Sequence, residues 1–302
     1  MNIAIAGGTG FLGTKLTTHL VEQGHTIFIL TRDASNKPAK PHVHYVEWLN
    51  EHAAPEDSLG KLDAVINLAG ESIGQGRWTS KRKEKILQSR IHSTRSVIAL
   101  IKKLPNKPDV LVNASAIGYY GNSLTETFTE HSKPSEKNFL SHVVQEWEKK
   151  AELAKEQGVR VVCCRLGVVL DKEEGALNHM VLPYRLFIGG RLGSGKQWIS
   201  WVHVDDAIRL FEFAMLQSSI EGAFNITAPI PLTMNEFGKI ISTVLKKPHY
   251  LPTPAFVIKI LLGDMSTLVL DGQKVLPNKA ISLNYRYVFP TLNEALEGTF
   301  KL

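Results

Sequence analysis

The sequence predicts a doubly wound α/β fold: a parallel sheet covered by helices on both faces, followed by a smaller C-terminal α/β domain. Three observations predict it. The first thirteen residues read as a strand, a glycine-rich turn and the start of a helix. From there to Leu166, strand-like and helix-like stretches alternate. Beyond residue 170 the alternation gives way to loop-rich and proline-rich sequence. The expected division is a cofactor domain over residues 1–170 and a substrate domain over 171–302, with about 200–228 returning to the first.

Asn2 to Ala6 is an apolar run of strand length. Gly7, Gly10 and Gly13 follow at a G-x-x-G-x-x-G spacing. Thr14 to Gln23 then carries Leu16, Leu20 and Val21 at helical spacing, ended by Gly24. Strand, glycine turn and helix in this order form the dinucleotide fingerprint of a Rossmann-type sheet. Glycine serves a tight turn, close backbone approach to a pyrophosphate, and close packing of helix on strand. The pyrophosphate then meets free N–H groups at the helix start. The cofactor-binding set therefore begins with Gly7, Thr9, Gly10, Phe11, Leu12 and Gly13. The alternative is an ordinary glycine-rich strand-to-helix turn.

His25 to Leu30 is the second strand, and its end decides the cofactor. An acidic residue there binds a ribose 2′-hydroxyl, whereas an arginine accommodates a 2′-phosphate. Thr31 takes the acid position and Arg32 follows it, so NADP is expected. The alternative is a surface Arg32 paired with Asp33. His44 to Val46 and Ala64 to Leu68 are the third and fourth strands. Ligands of doubly wound folds lie beyond the carboxyl ends of strands, so Leu68, Ala69 and Gly70 join the cofactor set. Ser89 to Leu104 has helical apolar spacing. Val110 to Ala114 is the fifth strand, with Ser115, Tyr119 and Tyr120 just beyond it at the same edge. Ser115 is a candidate hydrogen-bond donor to a substrate carbonyl or hydroxyl; the alternative is a hydroxyl satisfying loop backbone. Phe139 to Gln157 is a long helix stopped by Gly158, and Val159 to Leu166 is the sixth strand.

In the second half, Gly175 to Gly195 is loop-rich, with a hairpin or turn expected around Gly189 to Gly195. Ala207 to Met215 reads as a helix and Gly222 to Thr227 as a strand. From Leu232 the pattern is helical, then rich in proline at Pro248, Pro252 and Pro254.

Bulk properties narrow the function. With 43% hydrophobic and 21% charged residues, the 302-residue chain has the composition of a soluble globular protein. Its net charge of +6 favours an anionic ligand. The densest basic run, Lys81-Arg82-Lys83-Glu84-Lys85, reads as a solvated helix face, so no nucleic-acid partner is expected. Cys163 and Cys164 are adjacent in a strand and point to opposite faces, which disfavours a disulfide between them. Met1 leads straight into the first strand, so no signal peptide is expected. No run is suited to span a membrane. The eleven histidines and two cysteines form no H-x-x-x-H or C-x-x-C cluster, so no metal is expected. These features place the chain in the cytoplasm, with a small-molecule substrate, no membrane partner, and a homodimer as its expected assembly.

The glycine turn, Asn67 to Gly70, Ser115 to Gly121, Arg165-Leu166-Gly167 and Trp201 to Asp206 together resemble an extended short-chain dehydrogenase/reductase. More closely, the chain resembles the atypical branch called the epimerase family, 39U type. Gly70-Glu71-Ser72-Ile73 with Gly76-Arg77-Trp78, Ser89-Arg90, Ser115 to Gly121, Gly193 to Asp206 and the tail Leu268 to Pro277 carry that likeness, which runs nearly end to end. The resemblance implies a Rossmann fold, bound NADP(H), a cofactor contact at Arg165, and Ser115 with Tyr119 or Tyr120 as the catalytic set. Two departures stand out. The superfamily's acid–base pair is Tyr-x-x-x-Lys, and none of the seven tyrosines here has lysine four residues on. Where that pair should fall, the helix reads Phe139 to Trp147, and its His142 is expected on the surface. In addition, Ile199 and Ser200 stand where nucleotide-sugar members carry arginine and aspartate. Arg77, Arg90, Arg185, Arg191 and Lys196 remain as candidate anion contacts. The leading reading is an NADP(H)-dependent oxidoreductase or epimerase; the rival is a non-catalytic NADP(H)-binding sensor or partner-binding protein.

Overall fold

The computed structural model describes residues 1–35, 37–50, 52–135 and 138–300. The order is β1 (Asn2–Ala6), α1 (Phe11–Glu22), β2 (Thr26–Thr31), β3 (Val43–Glu47), α2 (Pro55–Ser58), β4 (Ala64–Asn67), α3 (Ser80–Lys103) and β5 (Val110–Ala116). Next come β6 (Thr127–Phe128), α4 (Phe139–Ala151), β7 (Arg160–Leu166), β8 (Val168–Leu170), α5 (Ala176–Arg185), β9 (Trp198–Ile199) and β10 (Trp201–His203). The chain continues through α6 (Val204–Leu216), β11 (Gly222–Ile226), β12 (Leu232–Thr233), α7 (Met234–Leu245), α8 (Ala255–Leu262), α9 (Thr267–Leu270), β13 (Lys274–Val275), α10 (Asn278–Ser282) and α11 (Leu292–Phe300).

Seven parallel strands form the central sheet in the order β11-β7-β5-β4-β1-β2-β3. The chain steps outward from β1 to β3, then returns to β4 and builds the other half. That reversal puts a topological switch between β1 and β4, where doubly wound sheets take their ligands. Alternation along β1 sends Ile3 and Ile5 into one core with Leu16, Leu20 and Phe211, and Ala4 and Ala6 into the other with Val97 and Ile101. Both faces are covered, as a parallel sheet requires. A separate core in the C-terminal lobe joins Val181, Tyr184, Trp201, Phe237, Ile241 and Leu296. The lobe is fastened back to the sheet by its tail. Ser200 Oγ donates to the Gln273 carbonyl at 2.9 Å and accepts from the Val275 amide at 2.8 Å. Asp206 accepts from the Val288 and Phe289 amides, and Asn225 Nδ2 donates to the Leu276 carbonyl.

Three elements differ from the sequence reading. The long helix before β5 begins at Ser80 rather than Ser89, because Thr79 caps it by accepting from the Arg82 amide. The charged run Lys81 to Lys85 is its first turns. The stretch read as loop from Gly175 contains α5, whose Leu177, Val181 and Tyr184 are buried at helical spacing. The helix read through Gln157 is α-helical to Ala151 and tightens to a 3₁₀ turn over Glu152–Gln157.

Candidate active site

Two of the three spaced glycines in the turn answer steric demands within the protein. Gly7 sits at φ +82°, and a Cβ there would stand 2.8 Å from the Leu68 carbonyl carbon. A Cβ on Gly13 would come within 2.1 Å of the Gly7 carbonyl oxygen, so α1 packs on the turn only through glycine. Gly10 is different. Its nearest neighbour to a built Cβ is 3.4 Å away, an ordinary contact, and its backbone is extended. Nothing inside the protein demands glycine at position 10, so the open space above it fits a ligand backbone or phosphate. Gly10 caps α1 without a side-chain bond, and no acidic residue occupies the first turn, which leaves Phe11, Leu12 and their amides open to an anion.

The neighbouring loop after β4 completes this cradle. Ala69 N–H donates to Asn67 Oδ1 at 3.2 Å, and Ser93 Oγ donates to the Ala69 carbonyl at 3.1 Å. Asn67 donates in turn to Asn113 and Thr94, and Thr94 also accepts from the Trp147 indole, so a buried polar ladder fixes the ends of β4 and β5. Beside Gly70, the Arg90 guanidinium donates to the Glu71 carbonyl and lies over the Trp147 ring; burial lowers its pKa to about 10. At the end of β2, Thr31 Oγ1 donates to the Asp33 carbonyl, and Asp33 Oδ1 accepts from both the amide and hydroxyl of Ser35. Arg32 is exposed, and among the described residues no carboxylate pairs with it.

Ser115, Tyr119, Tyr120 and Arg165 come together in one buried network. Ser115 Oγ donates to Glu148 Oε1 at 2.5 Å. Arg165 grips the same carboxylate with two parallel bonds, Nε to Oε1 at 2.8 Å and Nη2 to Oε2 at 2.7 Å. Arg165 Nη1 donates to the Tyr120 hydroxyl at 2.9 Å, and that hydroxyl donates to Asn225 Oδ1 at 2.7 Å. The Tyr119 ring lies 3.4 Å from the guanidinium carbon. Register explains the meeting: Ser115 and Arg165 are directly paired on β5 and β7, and Arg165 and Asn225 on β7 and β11. Burial pushes the Tyr120 hydroxyl up to about 12 despite the nearby Arg165. Burial works against the charge on Arg165, yet Glu148 outweighs it and holds the guanidinium above its ordinary value.

Arg165, assigned from the resemblance to the cofactor, thus has its guanidinium committed to Glu148 and Tyr120. Glu148 and Asn225 were not anticipated. A signal for Glu148 was present: it interrupts the buried stripe Val143, Val144, Trp147 and Ala151 on α4, and a carboxylate on an apolar face calls for a cationic partner. Four residues apart on the same helix, Ser141 donates to the Tyr119 carbonyl and Gln145 donates to Ser141 Oγ, so the groups this helix sets beside Tyr119 are neutral. His142 is exposed, and Cys163 and Cys164 are buried free thiols whose pKa values burial raises. An open cleft of about 460 Å³ flanks the network, lined by Tyr119 and Arg165, by Cys163 and Ala223, and by Gln145 and Lys149.

This arrangement has a family. The model of the NAD-dependent epimerase/dehydratase family matches residues 3–227. The chain belongs to that family. A second model, a domain of unknown function termed DUF1731, matches residues 253–298, the segment that carries α8 and the tail. Among similar proteins, epimerase family protein YfhF of Bacillus subtilis is 49% identical over 296 residues, 98% of this chain and 97% of that one. The crystal structure of human epimerase family protein SDR39U1 (isoform 2) with NADPH superposes with a TM-score of 0.87 at 33% identity, over the whole of both chains. A nucleoside-diphosphate sugar epimerase from Corynebacterium glutamicum gives 0.77 at 28% identity, covering 98% of this chain and 57% of that one. Family membership brings an NAD(P)-linked, oxidoreductase-like function.

Proposed function

We propose that the protein is an NADP(H)-dependent oxidoreductase or epimerase-like enzyme acting on a small molecule. The observation that carries this reading is the cradle: Gly7 and Gly13 are fixed by packing, whereas Gly10 is bare without any internal need. Gly7 and Thr9 to Gly13 would hold the pyrophosphate, with Leu68, Ala69 and Gly70 along the adjoining strand end. Arg32, exposed at the end of β2 beside Thr31, would hold the 2′-phosphate. The human relative's structure with NADPH supports the same choice of cofactor. When bound, such a dinucleotide supplies or accepts a hydride.

The chain's own part is to hold a proton. Ser115 gives its hydroxyl proton to Glu148 in the hydrogen bond, so toward a substrate hydroxyl it offers lone pairs. Ser115 is 2% exposed, so a substrate hydroxyl that reaches it would donate to its Oγ, whose own proton stays in the bond to Glu148. Arg165 keeps Glu148 oriented by its bidentate grip. Tyr120 is spent on Asn225 and Arg165, which leaves Tyr119 as the tyrosine facing the cleft. The test is calorimetric titration of wild type and Arg32→Ala with NADPH and NADH, followed by a search for NADPH oxidation with carbonyl compounds. Hydrogen bonds to a charged group contribute about 1.5–3 kcal/mol, so Arg32→Ala should weaken NADPH about ten- to a hundredfold and leave NADH nearly unchanged. Equal NADPH and NADH affinity in wild type defeats the assignment of Arg32.

One observation favours a second reading, a dinucleotide-binding sensor without turnover: Ser141 and Gln145 supply no cation to activate a tyrosine. Tight NADPH binding with no oxidation across the carbonyl panel would select it.

A further inference from the structure

Two segments of the C-terminal lobe, residues 175–204 and 237–263, contain no aspartate or glutamate at all. They carry Arg185, Arg191, Lys196, Lys239, Lys246, Lys247 and Lys259, seven of the chain's 35 basic residues against none of its 29 acids. The rest of the chain, 28 cations against 29 carboxylates, is close to neutral, so the net charge of +6 resides here.

The fold joins the two segments where residues 187–193 meet 247–253. Thr253 N–H donates to the Arg191 carbonyl and Gly193 N–H to the Thr253 carbonyl, while the amides of Tyr250 and Leu251 both reach the Gly189 carbonyl. The Tyr250 hydroxyl donates to the Phe187 carbonyl, and Lys247 Nζ lies 3.8 Å from the Phe187 ring centroid. Large apolar side chains are exposed between the cations: Leu182, Leu186, Phe187 and Ile188 at the end of α5, with Tyr250 and Leu251 beside them. On α8, Phe256, Ile260 and Leu261 are 64–70% exposed. Among the described residues, none of the seven cations forms an ion pair.

We propose that this face docks the protein on an anionic lipid bilayer. Exposed apolar side chains set among cations, of which Lys259 and Lys239 have Asp271 and Glu236 as neighbouring carboxylates, match an interface whose headgroups are anionic and whose interior is apolar. A second copy of the chain fits poorly, because an isologous contact would press seven cations against seven. Among the described residues the cavity under this face holds about 50 Å³, small beside ligand pockets of roughly 300 Å³ and more. Among the described residues no helix is long and apolar enough to cross a membrane, and α8 has eight residues, so the face lies on the surface. The linear sequence led to the expectation of no membrane partner, because the cations and apolar residues converge only when 189–193 meets 250–253. The inference is independent of the dinucleotide reading.

The test is co-sedimentation of the full chain with vesicles of phosphatidylglycerol and phosphatidylcholine, against pure phosphatidylcholine, over a series of salt concentrations. Binding is expected with the anionic vesicles and should fade as salt rises. Each lysine near such a surface contributes about 1 kcal/mol, so Lys246→Glu with Lys247→Glu should weaken binding by about thirtyfold or more. Phe256→Ser with Ile260→Ser should also release the protein from vesicles. An unchanged urea midpoint shows that these exposed substitutions leave the fold intact. Equal sedimentation with neutral vesicles, or none with anionic ones, overturns the proposal. So does a wild-type dimer in sedimentation velocity that Phe256→Ser converts to monomer, or stoichiometric binding of monomeric decyl phosphate that the same variants abolish.

Discussion

Glu148→Gln is the substitution that probes the buried network most directly. The Glu148 and Arg165 side chains are 12% and 4% exposed, and two parallel bonds join them. Glutamine keeps the shape and one acceptor oxygen, but it turns an N–H₂ toward the second guanidinium donor and leaves the Arg165 charge without a carboxylate. Removing one partner of a buried pair costs about 3–5 kcal/mol. The retained acceptor places this exchange near the lower end, at about 3 kcal/mol. Ser115→Ala removes a single bond to a charged acceptor and should cost about 1.5–3 kcal/mol. Because both losses fall on one carboxylate, the double variant should lose less than the two singles together, by about 0.5–3 kcal/mol. Urea denaturation followed by circular dichroism, extrapolated linearly to water, measures each value. Glu148→Gln with Arg165→Met should recover part of the loss, since no unpaired charge remains. A cost below about 1 kcal/mol for Glu148→Gln, the worth of an exposed pair, would refute the account of this network as a buried, coupled unit.

Other outcomes follow from single distances and signs. Gly13→Ala forces a Cβ to 2.1 Å from the Gly7 oxygen; it should destabilise by at least about 1–3 kcal/mol, as overpacking does. Gly10→Ala should instead leave the urea midpoint nearly unchanged while weakening NADPH at least tenfold by calorimetry, because only ligand space is lost. Burial alone would raise the Asp171 carboxyl, but the amides of Glu174 and Glu173 together with Lys15 hold it below its ordinary value of 3.8. A depressed carboxyl adds stability that is present above about pH 4 and lost as pH falls through the folded pKa. Urea midpoints measured from pH 6 down to pH 3 should therefore fall more steeply for wild type than for Asp171→Asn. Ser200→Ala leaves the Val275 amide and Gln273 carbonyl without their buried partner, so it should cost about 1–3 kcal/mol and speed proteolysis of the tail.

The first half of the fold was legible because its signals are local. A strand, the spaced glycines Gly7, Gly10 and Gly13 and an amphipathic helix lie within the first 23 residues, and each following strand is a short apolar run with punctuation on both sides. The start of α3 was hidden because a solvated run such as Lys81 to Lys85 has no apolar period to read. The helix α5 was hidden by its company: Pro183 inside it and Gly189-Gly190 after it read as loop, yet both glycines are demanded by tertiary neighbours. A Cβ on Gly189 would enter the Tyr184 ring and one on Gly190 the Leu251 carbonyl. The network at Ser115 was half legible. Tyr119 and Tyr120 announce themselves by lying just past a strand, and Ser115, read as just beyond the strand, is one of its last residues; their meeting with Glu148 and Asn225 depends on register between strands far apart in sequence, which no local pattern records.

The same distinction bears on substrate. Ile199 and Ser200 stand where the resemblance to nucleotide-sugar enzymes places charged residues, and sequence alone reads this as a missing substrate contact. The fold gives these positions another task. Ile199 is 6% exposed and packs in the lobe core, and Ser200 at 1% exposed holds the tail through both of its bonds. A Cβ on neighbouring Gly272 would stand 2.0 Å from the Trp198 carbonyl, so the tail lies directly against this strand. An arginine introduced at either position would have to displace the tail or the core before it could reach a diphosphate. The tail that matches the domain of unknown function and the lost arginine are thus two sides of one packing arrangement. A ligand of this chain would have to be recognised without an anion clamp at that strand.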